Sequence, residues 1–185
     1  MTPRGTPGRD GELRVGLVSD SHGLFEPRLE ELFAGCDLIL HAGDVVKDSV
    51  LRALARLAPV RAVRGNADAG TGLEGLPEVA EVELGELRAL VVHELGPPDA
   101  FSAPVRRALA RARPELLVHG HSHRPAARLA AGLLIVNPGS AGPRRFSLPR
   151  AAGLLEVRGR VARVRLFDLA DPALALLAPP LQARL

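Results

Sequence analysis

Short apolar runs alternate with amphipathic stretches through the first part of the chain, and this alternation restricts the fold more than any other feature of the sequence. Three apolar runs have the length of buried strands: residues 13–19 (LRVGLVS), 37–41 (DLILH) and 60–64. Two stretches between them repeat apolar residues at helical spacing: residues 27–34, which end at Gly35, and residues 50–57, which end before Pro59. The order strand, helix, strand, helix, strand predicts a wound arrangement with parallel strands.

The remainder of the chain changes from this mixed pattern to strands alone. Residues 79–84 and 87–93 predict two tightly connected strands, and Ser102 is a predicted cap for a helix that runs to Arg113 before a strand at 116–119. Beyond that point four short strands are predicted: residues 126–129, 133–136, 153–157 and 161–168. Two packed sheets with helices outside accommodate both patterns, so the predicted fold class is α/β, of the α+β kind.

A length of 185 residues is typical of one domain. Residues 1–12 (MTPRGTPGRDGE) contain no apolar run, so they are predicted to be a disordered leader rather than a signal peptide, and residues 13–185 are predicted to form a single domain. The apolar tail at 172–185 is expected to cover the core, with a partner surface as the alternative.

The composition excludes several classes of protein. The chain has one cysteine, Cys36, which excludes a disulfide scaffold and, together with the lack of a signal sequence, predicts a cytoplasmic protein. No apolar run approaches the length of a membrane span. The net charge of +3 comes from a basic side that is almost entirely arginine, and the chain lacks Tyr and Trp, so we expect no specific nucleic-acid binding.

Residue types that bind metals occur directly after the predicted strands. Five chain segments each place such residues at a strand end: Asp20 and His22, Asp44, Asn66, His93, and His121 and His123. The loops beyond the carboxyl ends of parallel strands form the usual ligand crevice of such sheets, so we expect these side chains to converge.

The spacing within these segments agrees with a shared site. Alternate residues of an extended segment lie on one face, so the pairs Asp20-x-His22 and His121-x-His123 each direct two side chains the same way. Glycine precedes Asp44, Asn66 and His121, and it permits the close backbone approach that a crowded site requires.

This donor set combines nitrogen and oxygen without thiolate, which suits Mn, Fe, Zn, Ni or Co better than Ca or Mg. Seven candidates are too many for one such ion and suit two, and two metals roughly 3.5–4 Å apart are a known device for in-line displacement at phosphorus. Each segment alone also has an ordinary explanation as a cap, a turn or a strand end, so the combination carries the inference. His41 and His119 lie inside their strand ends, where core or ligand-supporting roles are expected.

The ordered motifs resemble those of the calcineurin-like metallophosphoesterase superfamily, in particular its small YfcE-type phosphodiesterases. The resemblance runs from about residue 13 to residue 167 and rests on six segments: SDSHG (19–23), HAGD (41–44), GNAD (65–68), VVH (91–93), GHSH (120–123) and NPGS (137–140). It implies a four-layer αββα sandwich of two mixed sheets, with two divalent metals at the strand ends.

The resemblance also implies how the ligands are divided between the metals. One metal is expected on Asp20, His22, Asp44 and His123, and the other on Asp44, Asn66, His93 and His121, with Asp44 as the bridge. The implied metal is most often Mn, with Ni, Co, Fe or Zn as alternatives.

Three positions depart from the pattern or extend it. Many superfamily members have histidine after the asparagine of GN, where this chain has Ala67; this leaves the general acid open, with Asp68 a candidate whose alternative is a turn-capping carboxylate. Glu94 replaces a frequent glycine and is expected to tune His93, to repel an anionic substrate, or to face solvent. Arg144 and Arg145 are candidates for holding a substrate phosphate, with surface solvation as the alternative.

These observations predict a dinuclear, metal-dependent phosphoesterase, a phosphodiesterase or phosphatase. It would hydrolyse a small phosphodiester or phosphomonoester by in-line attack of a metal-bridging hydroxide. The alternative is a catalytically silent scaffold of the same fold, like the retromer subunit. Exposed sheet edges and the apolar tail are compatible with a homodimer.

Overall fold

Two mixed six-stranded sheets form the centre of the structure, a computed structural model that describes residues 4–5, 11–97, 101–145 and 147–185. The first sheet has the spatial order β1 (Arg4–Gly5), β5 (Val79–Leu84), β6 (Leu87–Val92), β7 (Leu116–Val118), β9 (Leu133–Asn137) and β8 (Ala126–Ala130). The second has the order β12 (Leu181–Arg184), β11 (Val161–Asp168), β10 (Ala151–Arg158), β2 (Glu12–Val18), β3 (Leu38–His41) and β4 (Val60–Ala62).

Each sheet contains a run of three parallel strands, and these runs determine where the loops begin. In the second sheet β2, β3 and β4 are parallel, with Val18 opposite His41 and His41 opposite Ala62. In the first sheet β6, β7 and β9 are parallel, with Val91 opposite Val118. The matched registers bring the carboxyl ends of neighbouring strands to the same level, so the loops that follow them are neighbours.

The central core lies between the two sheets. Alternate residues of β2 point into it, among them Leu13, Val15 and Leu17, and β6 contributes from the other side with Leu87 and Val91. This period of two is the one expected for strands with one face on a common core. Aliphatic side chains dominate this core, in line with the 3% aromatic content of the chain.

Helices cover the outer faces of both sheets. The short α1 (Arg28–Leu32) and the longer α2 (Asp48–Ala55) lie on the second sheet, where Leu29 and Leu54 join one outer cluster of buried residues. On the first sheet α3 (Ala103–Ala112) buries Val105 in the other outer cluster. The layers therefore run helix, sheet, sheet, helix, which confirms the predicted αββα sandwich.

The structure corrects three local expectations. The helix predicted at 27–34 is only five residues long, because the chain turns after Leu32. Ser102 occupies the N-cap of α3, but its side chain makes no cap hydrogen bond. The tail covers the central core as expected, through Leu177 and Leu181 among others, and it also adds a strand that was not predicted, β12, antiparallel to β11.

Most of the predicted disordered leader lies outside the described residues. Of residues 1–10 only Arg4–Gly5 is described, and this segment pairs in parallel with Glu83 and Leu84 of β5. The disorder of residues 1–12, and the division of the chain at that point, stay predictions. None of the helices in the described part of the chain combines the length and apolarity that a membrane crossing requires.

Candidate metal centre

The seven predicted ligands lie together at the carboxyl ends of the parallel strands. Asp20 and His22 follow β2, Asp44 follows β3, Asn66 begins a 3₁₀ turn after β4, His93 follows β6, and His121 and His123 follow β7. Contacts of 3.8 Å or less connect all seven side chains, directly or through one another. Residues from both sheets therefore form one cluster, as the sequence pattern predicted, and metal binding by this cluster stays a prediction.

Asp20 is completely buried, and only one of its carboxylate oxygens has hydrogen-bond donors. Oδ2 accepts from the Ser19 hydroxyl and from the backbone N–H of His121, the latter at 3.1 Å. Oδ1 has no hydrogen-bond partner among the described residues and lies 3.2 Å from His123 Nε2. A buried carboxylate oxygen without a donor is costly unless a cation compensates it.

Asp44 stands between two groups of histidines. Its Oδ1 lies 3.4 Å from His93 Nε2, and its Oδ2 lies 3.8 Å from His22 Nε2. The backbone N–H of Ala67 donates to Oδ1 at 2.8 Å and fixes the orientation of the carboxylate. The two oxygens of Asp44 thus face opposite halves of the cluster.

We call the two sides of the cluster the closed half (Asp20, His22, His123) and the open half (Asn66, His93, His121). In the closed half, His22 Nε2 and His123 Nε2 are 3.3 Å apart. In the open half, Asn66 Oδ1 lies 3.0 Å from His93 Nε2 and 3.1 Å from His121 Nδ1.

Neighbouring charges shift the pKa values of the central residues in opposite directions. Burial acts to lower the pKa of His93, but the Asp44 carboxylate and the Ala42 carbonyl outweigh it and hold that pKa above its ordinary value. Burial acts to raise the pKa of Asp44, but His93, the Ala67 amide and His22 outweigh it and hold that pKa below its ordinary value. Burial, and then the positive charge of Arg145, lower the pKa of His22.

The backbone of the site is held in the left-handed region, which non-glycine residues seldom adopt. Five predicted ligands have positive φ angles there: Asp20 (52°), His22 (46°), Asp44 (57°), His121 (68°) and His123 (57°). Each such residue costs of order 1–3 kcal/mol, and such residues persist where the surrounding structure determines them. This concentration of strain marks the loops as a functional site.

Two of the predicted glycines are required by contact with the ligands. A Cβ atom at Gly120 would lie 1.9 Å from Ser19 Oγ and 2.6 Å from Asp20 Oδ2. A Cβ atom at Gly65 would lie 2.1 Å from Asp44 Oδ1. The backbone therefore approaches both central carboxylates more closely than any side chain permits.

Asp68, the candidate general acid, directs its carboxylate at backbone amides. Its Oδ2 accepts from the N–H groups of Asp44 at 3.1 Å and Gly65 at 2.7 Å, and its Oδ1 accepts from Val46 at 2.7 Å. The side chain is buried and ties the loop after β3 to the loop after β4. This is the geometry of the turn-capping alternative.

The two candidate phosphate-binding arginines, Arg144 and Arg145, are both exposed, and they differ in their electrostatic effect on the cluster. After burial, the positive charge of Arg145 contributes to the lowered pKa of His22. Glu94 is exposed, and its Oε1 lies 3.8 Å from His121 Nε2, so its nearest imidazole is His121 rather than the expected His93.

The two remaining strand-end histidines support the loops. His41 is fully buried, its Nε2 lies 3.0 Å from the Ser21 hydroxyl, and burial lowers its pKa to about 4. His119 Nδ1 contacts the Gly120 carbonyl at 3.2 Å, and burial lowers its pKa to about 4 as well. Both are neutral at pH 7 and agree with the expected core or supporting roles.

The NPGS segment (137–140) and Gly142 beyond it hold the loops of the cluster in place, a role that the sequence did not predict. Asn137 Nδ2 donates to the Gly120 carbonyl at 2.9 Å and to the Ser122 hydroxyl at 3.0 Å, so it holds the loop of His121 and His123. The Ser140 hydroxyl and the Gly142 N–H donate to the Asp20 carbonyl at 2.8 and 3.1 Å. The motif itself was the available signal, and only the fold shows which atoms it reaches.

The donor set fits metal ions. His93 Nδ1 lies 2.8 Å from the Ala42 carbonyl, and because a carbonyl only accepts, the proton of the neutral ring is on Nδ1. Its Nε2 then turns a lone pair toward Asn66 Oδ1 and Asp44 Oδ1, which are also acceptors. Converging lone pairs, together with the unpartnered Asp20 Oδ1, are the arrangement that a bound cation stabilises.

Comparisons with known proteins identify the family of this chain. Residues 13–160 match the family described as the Calcineurin-like phosphoesterase superfamily domain. A probable metallophosphoesterase of Methanothermobacter thermautotrophicus is 31% identical over 142 residues, which are 73% of this chain and 81% of the relative.

Solved structures show the same fold. The structure of YfcE, a phosphoesterase from E. coli, has a TM-score of 0.67 at 24% identity, covering 93% of this chain and 99% of YfcE. A zinc complex of Vps29 from Entamoeba histolytica has a TM-score of 0.74 at 20% identity, covering 92% of this chain and 99% of Vps29. Sequence and fold together show that the chain belongs to the calcineurin-like phosphoesterase superfamily, a family of metal-dependent phosphoester hydrolases.

Proposed function

We propose that this chain is a dinuclear phosphodiesterase that uses two divalent transition metals, with Mn foremost and Ni, Co, Fe or Zn as alternatives. The observation that carries the proposal is the position of Asp44, whose Oδ1 faces His93 at 3.4 Å and whose Oδ2 faces His22 at 3.8 Å. A carboxylate with one oxygen toward each group of histidines suits a bridging ligand between two cations.

The side chains would divide between two metal positions. The first would be held by Asp20, His22, Asp44 and His123, and the second by Asp44, Asn66, His93 and His121. Each position, counting the shared Asp44, offers at least one carboxylate oxygen and one imidazole nitrogen, a set that transition metals bind well. When bound, the metals would supply Lewis acidity and a nucleophile derived from water at neutral pH.

The protein would prepare and hold the ligands. The Ala42 carbonyl fixes the tautomer of His93, and the Ala67 amide fixes Asp44. Asp68 would act as a positioning residue, because its three backbone hydrogen bonds leave its oxygens engaged away from a reacting group. Arg145, whose charge acts on His22, would hold a non-bridging phosphate oxygen.

A substitution at Asp44 tests this proposal with an aryl phosphodiester such as bis(p-nitrophenyl) phosphate. An aryl leaving group departs without a proton, so the assay does not depend on the unassigned general acid. With Mn added, Asp44→Asn should lower kcat/KM at least about 100-fold, because it removes the charge shared by both halves. The matched control is Asp48→Asn, the same change on the exposed face of α2, which should alter kcat/KM less than about twofold. Unchanged turnover in Asp44→Asn would rule the mechanism out.

Metal counting separates one ion from two. We expect protein purified without chelator, then equilibrated with Mn, to retain about two metal ions per chain by elemental analysis. A value near one would contradict the dinuclear part of the proposal and leave the phosphoesterase part standing.

The alternative, a catalytically silent scaffold, has the fold likeness to Vps29 in its favour. Against it stands the complete set of seven candidate ligands in one cluster. A protein that bound no metal and hydrolysed no phosphoester would support the scaffold.

The setting of the reaction is also part of the proposal. The substrate would be a small phosphodiester or phosphomonoester rather than a nucleic acid. The buried, unpaired Cys36 suits the reducing cytoplasm. A homodimer through sheet edges would be tested by light scattering.

A further inference from the structure

A cleft of about 440 Å³ opens beside the open half of the metal centre. His93 and Asn66 of the open half line the cleft, and so do Ser102 and Val105 from the chain at the start of α3. The volume is in the range of sites that hold small organic ligands, roughly 300–1,000 Å³. A group bound there would lie next to the side chains that we assign to the second metal.

The walls of the cleft combine apolar and acidic side chains. Val79 is partly exposed and supplies apolar surface, with the buried Val92 and Val105 behind it. Glu74, Glu78 and Glu94 supply carboxylates, and Arg64, the cation among the described lining residues, is paired with Glu78. Glu74 and Glu94 therefore dominate the charge of the cleft.

Of these two carboxylates, Glu94 is the one placed beside a group bound at the open half, whereas Glu74 accepts from backbone amides of its own loop and contributes charge to the cleft. Glu94 Oε1 lies 3.8 Å from His121 Nε2, so this exposed carboxylate borders the open half on the side of the cleft. The backbone N–H of Glu74 itself, and those of Gly70 and Gly72, hold the pKa of the Glu74 carboxyl below its ordinary value, so this residue is charged at neutral pH.

The opposite side of the metal centre has the opposite charge. Arg145 acts electrostatically on His22, and the stem of Lys47 lies over Gly23, where a Cβ atom would be 3.1 Å from Lys47 Cδ. The centre thus has cationic side chains beside the closed half and carboxylates beside the open half. A substrate with an anionic phosphate and a cationic substituent matches this polarity.

We propose that the cleft is the subsite for the leaving alcohol, that it selects phosphodiesters whose alcohol carries a quaternary or primary ammonium group, and that Glu94 is its specificity residue. The catalytic part rests on the proposed phosphodiesterase function. Hydrolysis forms a P–O bond to the oxygen of water and breaks the P–O bond to the alcohol, which departs with one proton from that water. Methyl groups of the ammonium would contact Val79 while its charge faces Glu94. Alcohols that carry a second phosphate would be repelled.

Binding alone tests the subsite without any turnover. Choline and its neutral isostere 3,3-dimethylbutanol differ by one charge, and each is titrated into protein supplemented with diamagnetic Zn²⁺ and followed by ¹H–¹⁵N spectra. We expect choline to bind at least about fivefold more tightly than the isostere, the effect of one partly solvated charge contact. Its largest shifts should fall on the amides of Glu94, Ser102 and Val105.

Two matched variants locate the effect. Glu94→Gln should reduce the preference for choline to less than about twofold, whereas Glu30→Gln, the same change on the exposed face of α1, should keep the full preference. Equal affinity of the two ligands in the unaltered protein, or choline shifts outside the cleft, would overturn the proposal.

Turnover then tests the role of the subsite. The methyl phosphodiesters of choline and of 3,3-dimethylbutanol are compared by the alcohol released, and we expect a similar fivefold preference in kcat/KM that Glu94→Gln abolishes. Hydrolysis of both diesters at equal rates would sink the subsite and leave the phosphodiesterase intact. Binding of choline without hydrolysis of any phosphodiester would overturn both the proposed function and the leaving-group role.

Discussion

The closed and open halves of the metal centre use similar side chains in very different surroundings. In the closed half Asp20 is fully buried, and the side chains of His22 and His123 are only 11% and 10% exposed. In the open half Asn66 is exposed and the His121 side chain is 45% exposed, whereas His93 is buried at the inner side of this half.

The difference extends to what holds each half in place. The carbonyl of Asp20 accepts from Ser140 and Gly142, and the N–H of His22 donates to the Asp44 carbonyl at 2.9 Å. Asn66 stands on a three-residue 3₁₀ turn and contacts the other members of its half through one amide oxygen. The comparison teaches that the closed half is shielded and held by several backbone contacts, while the open half presents Asn66 and His121 to solvent.

The largest expected effect comes from adding a side chain at Gly120, whose backbone packs against Ser19 and Asp20. Gly120→Ala would place a Cβ atom 1.9 Å from Ser19 Oγ and 2.6 Å from Asp20 Oδ2, so we expect a loss of at least about 3 kcal/mol in the free energy of unfolding by urea denaturation. Gly75→Ala is the control, since a Cβ atom there meets nothing within 4 Å. Equal stability of the two variants would show that the closed half is not tightly packed.

Acid should lower the free energy of unfolding through His41, whose ring contacts Ser21 in the loop of the closed half. Burial lowers the pKa of His41 to about 4 from an unfolded value near 6.5, so the unfolded chain binds a proton in this range that the folded chain does not. Stability is thus complete above pH 6.5 and falls as the pH drops toward 4, by on the order of 3 kcal/mol for this residue. In metal-free protein, His41→Gln should reduce the slope of unfolding free energy against pH by about one proton. An unaltered slope would contradict the assignment.

Ligand removal should affect the halves unequally. We expect His123→Ala to weaken the tighter Mn site on the order of 100-fold, and His121→Ala to weaken the looser site about tenfold, because the buried donor is held in place and the exposed one is replaced by water. Calorimetric titration of metal-free protein measures both. Equal losses would remove the distinction between the halves.

The smallest effect concerns Arg145, whose charge acts on His22 of the closed half. Arg145→Ala should lower kcat/KM for an aryl phosphodiester about tenfold, the value of one charge-assisted hydrogen bond. Arg144→Ala serves as the control and should change it less than about twofold. Steady-state kinetics that show the reverse order would assign the phosphate contact to Arg144.

The sequence was sufficient to predict the layers of the fold and the composition of the cluster. Strands such as β5 (Val79–Leu84) have an apolar pattern that is typical of strands and can be recognised in the sequence. Polar residues that follow parallel strands lie at the same edge of the sheet, so their clustering was also predictable. The tail strand β12 escaped prediction because Leu181–Arg184 is short and gains its order only from pairing with β11.

Within the site, the backbone conformation and the direction of individual side chains could not be predicted from the sequence. The left-handed backbone at Asp20, Asp44 and His123 depends on how the loops pack, because Asp and His adopt this conformation more often than other side chains but still in a small minority of cases. The engagement of Asp68 with three amides, and the position of Glu94 beside His121, depend on how separate loops pack together.

The hydrogen bonds from Ser140 and Gly142 to the Asp20 carbonyl have a consequence for biosynthesis. All seven candidate ligands leave the ribosome before these residues do, as does the region of β6 and β7 on which three of them depend. We therefore expect a nascent chain stalled with residues 1–130 entirely outside the ribosome to hold the complete set of donors and still bind metal poorly. We expect the cluster to reach its final geometry only when Ser140 and Gly142 have emerged and packed against the loop that follows β2.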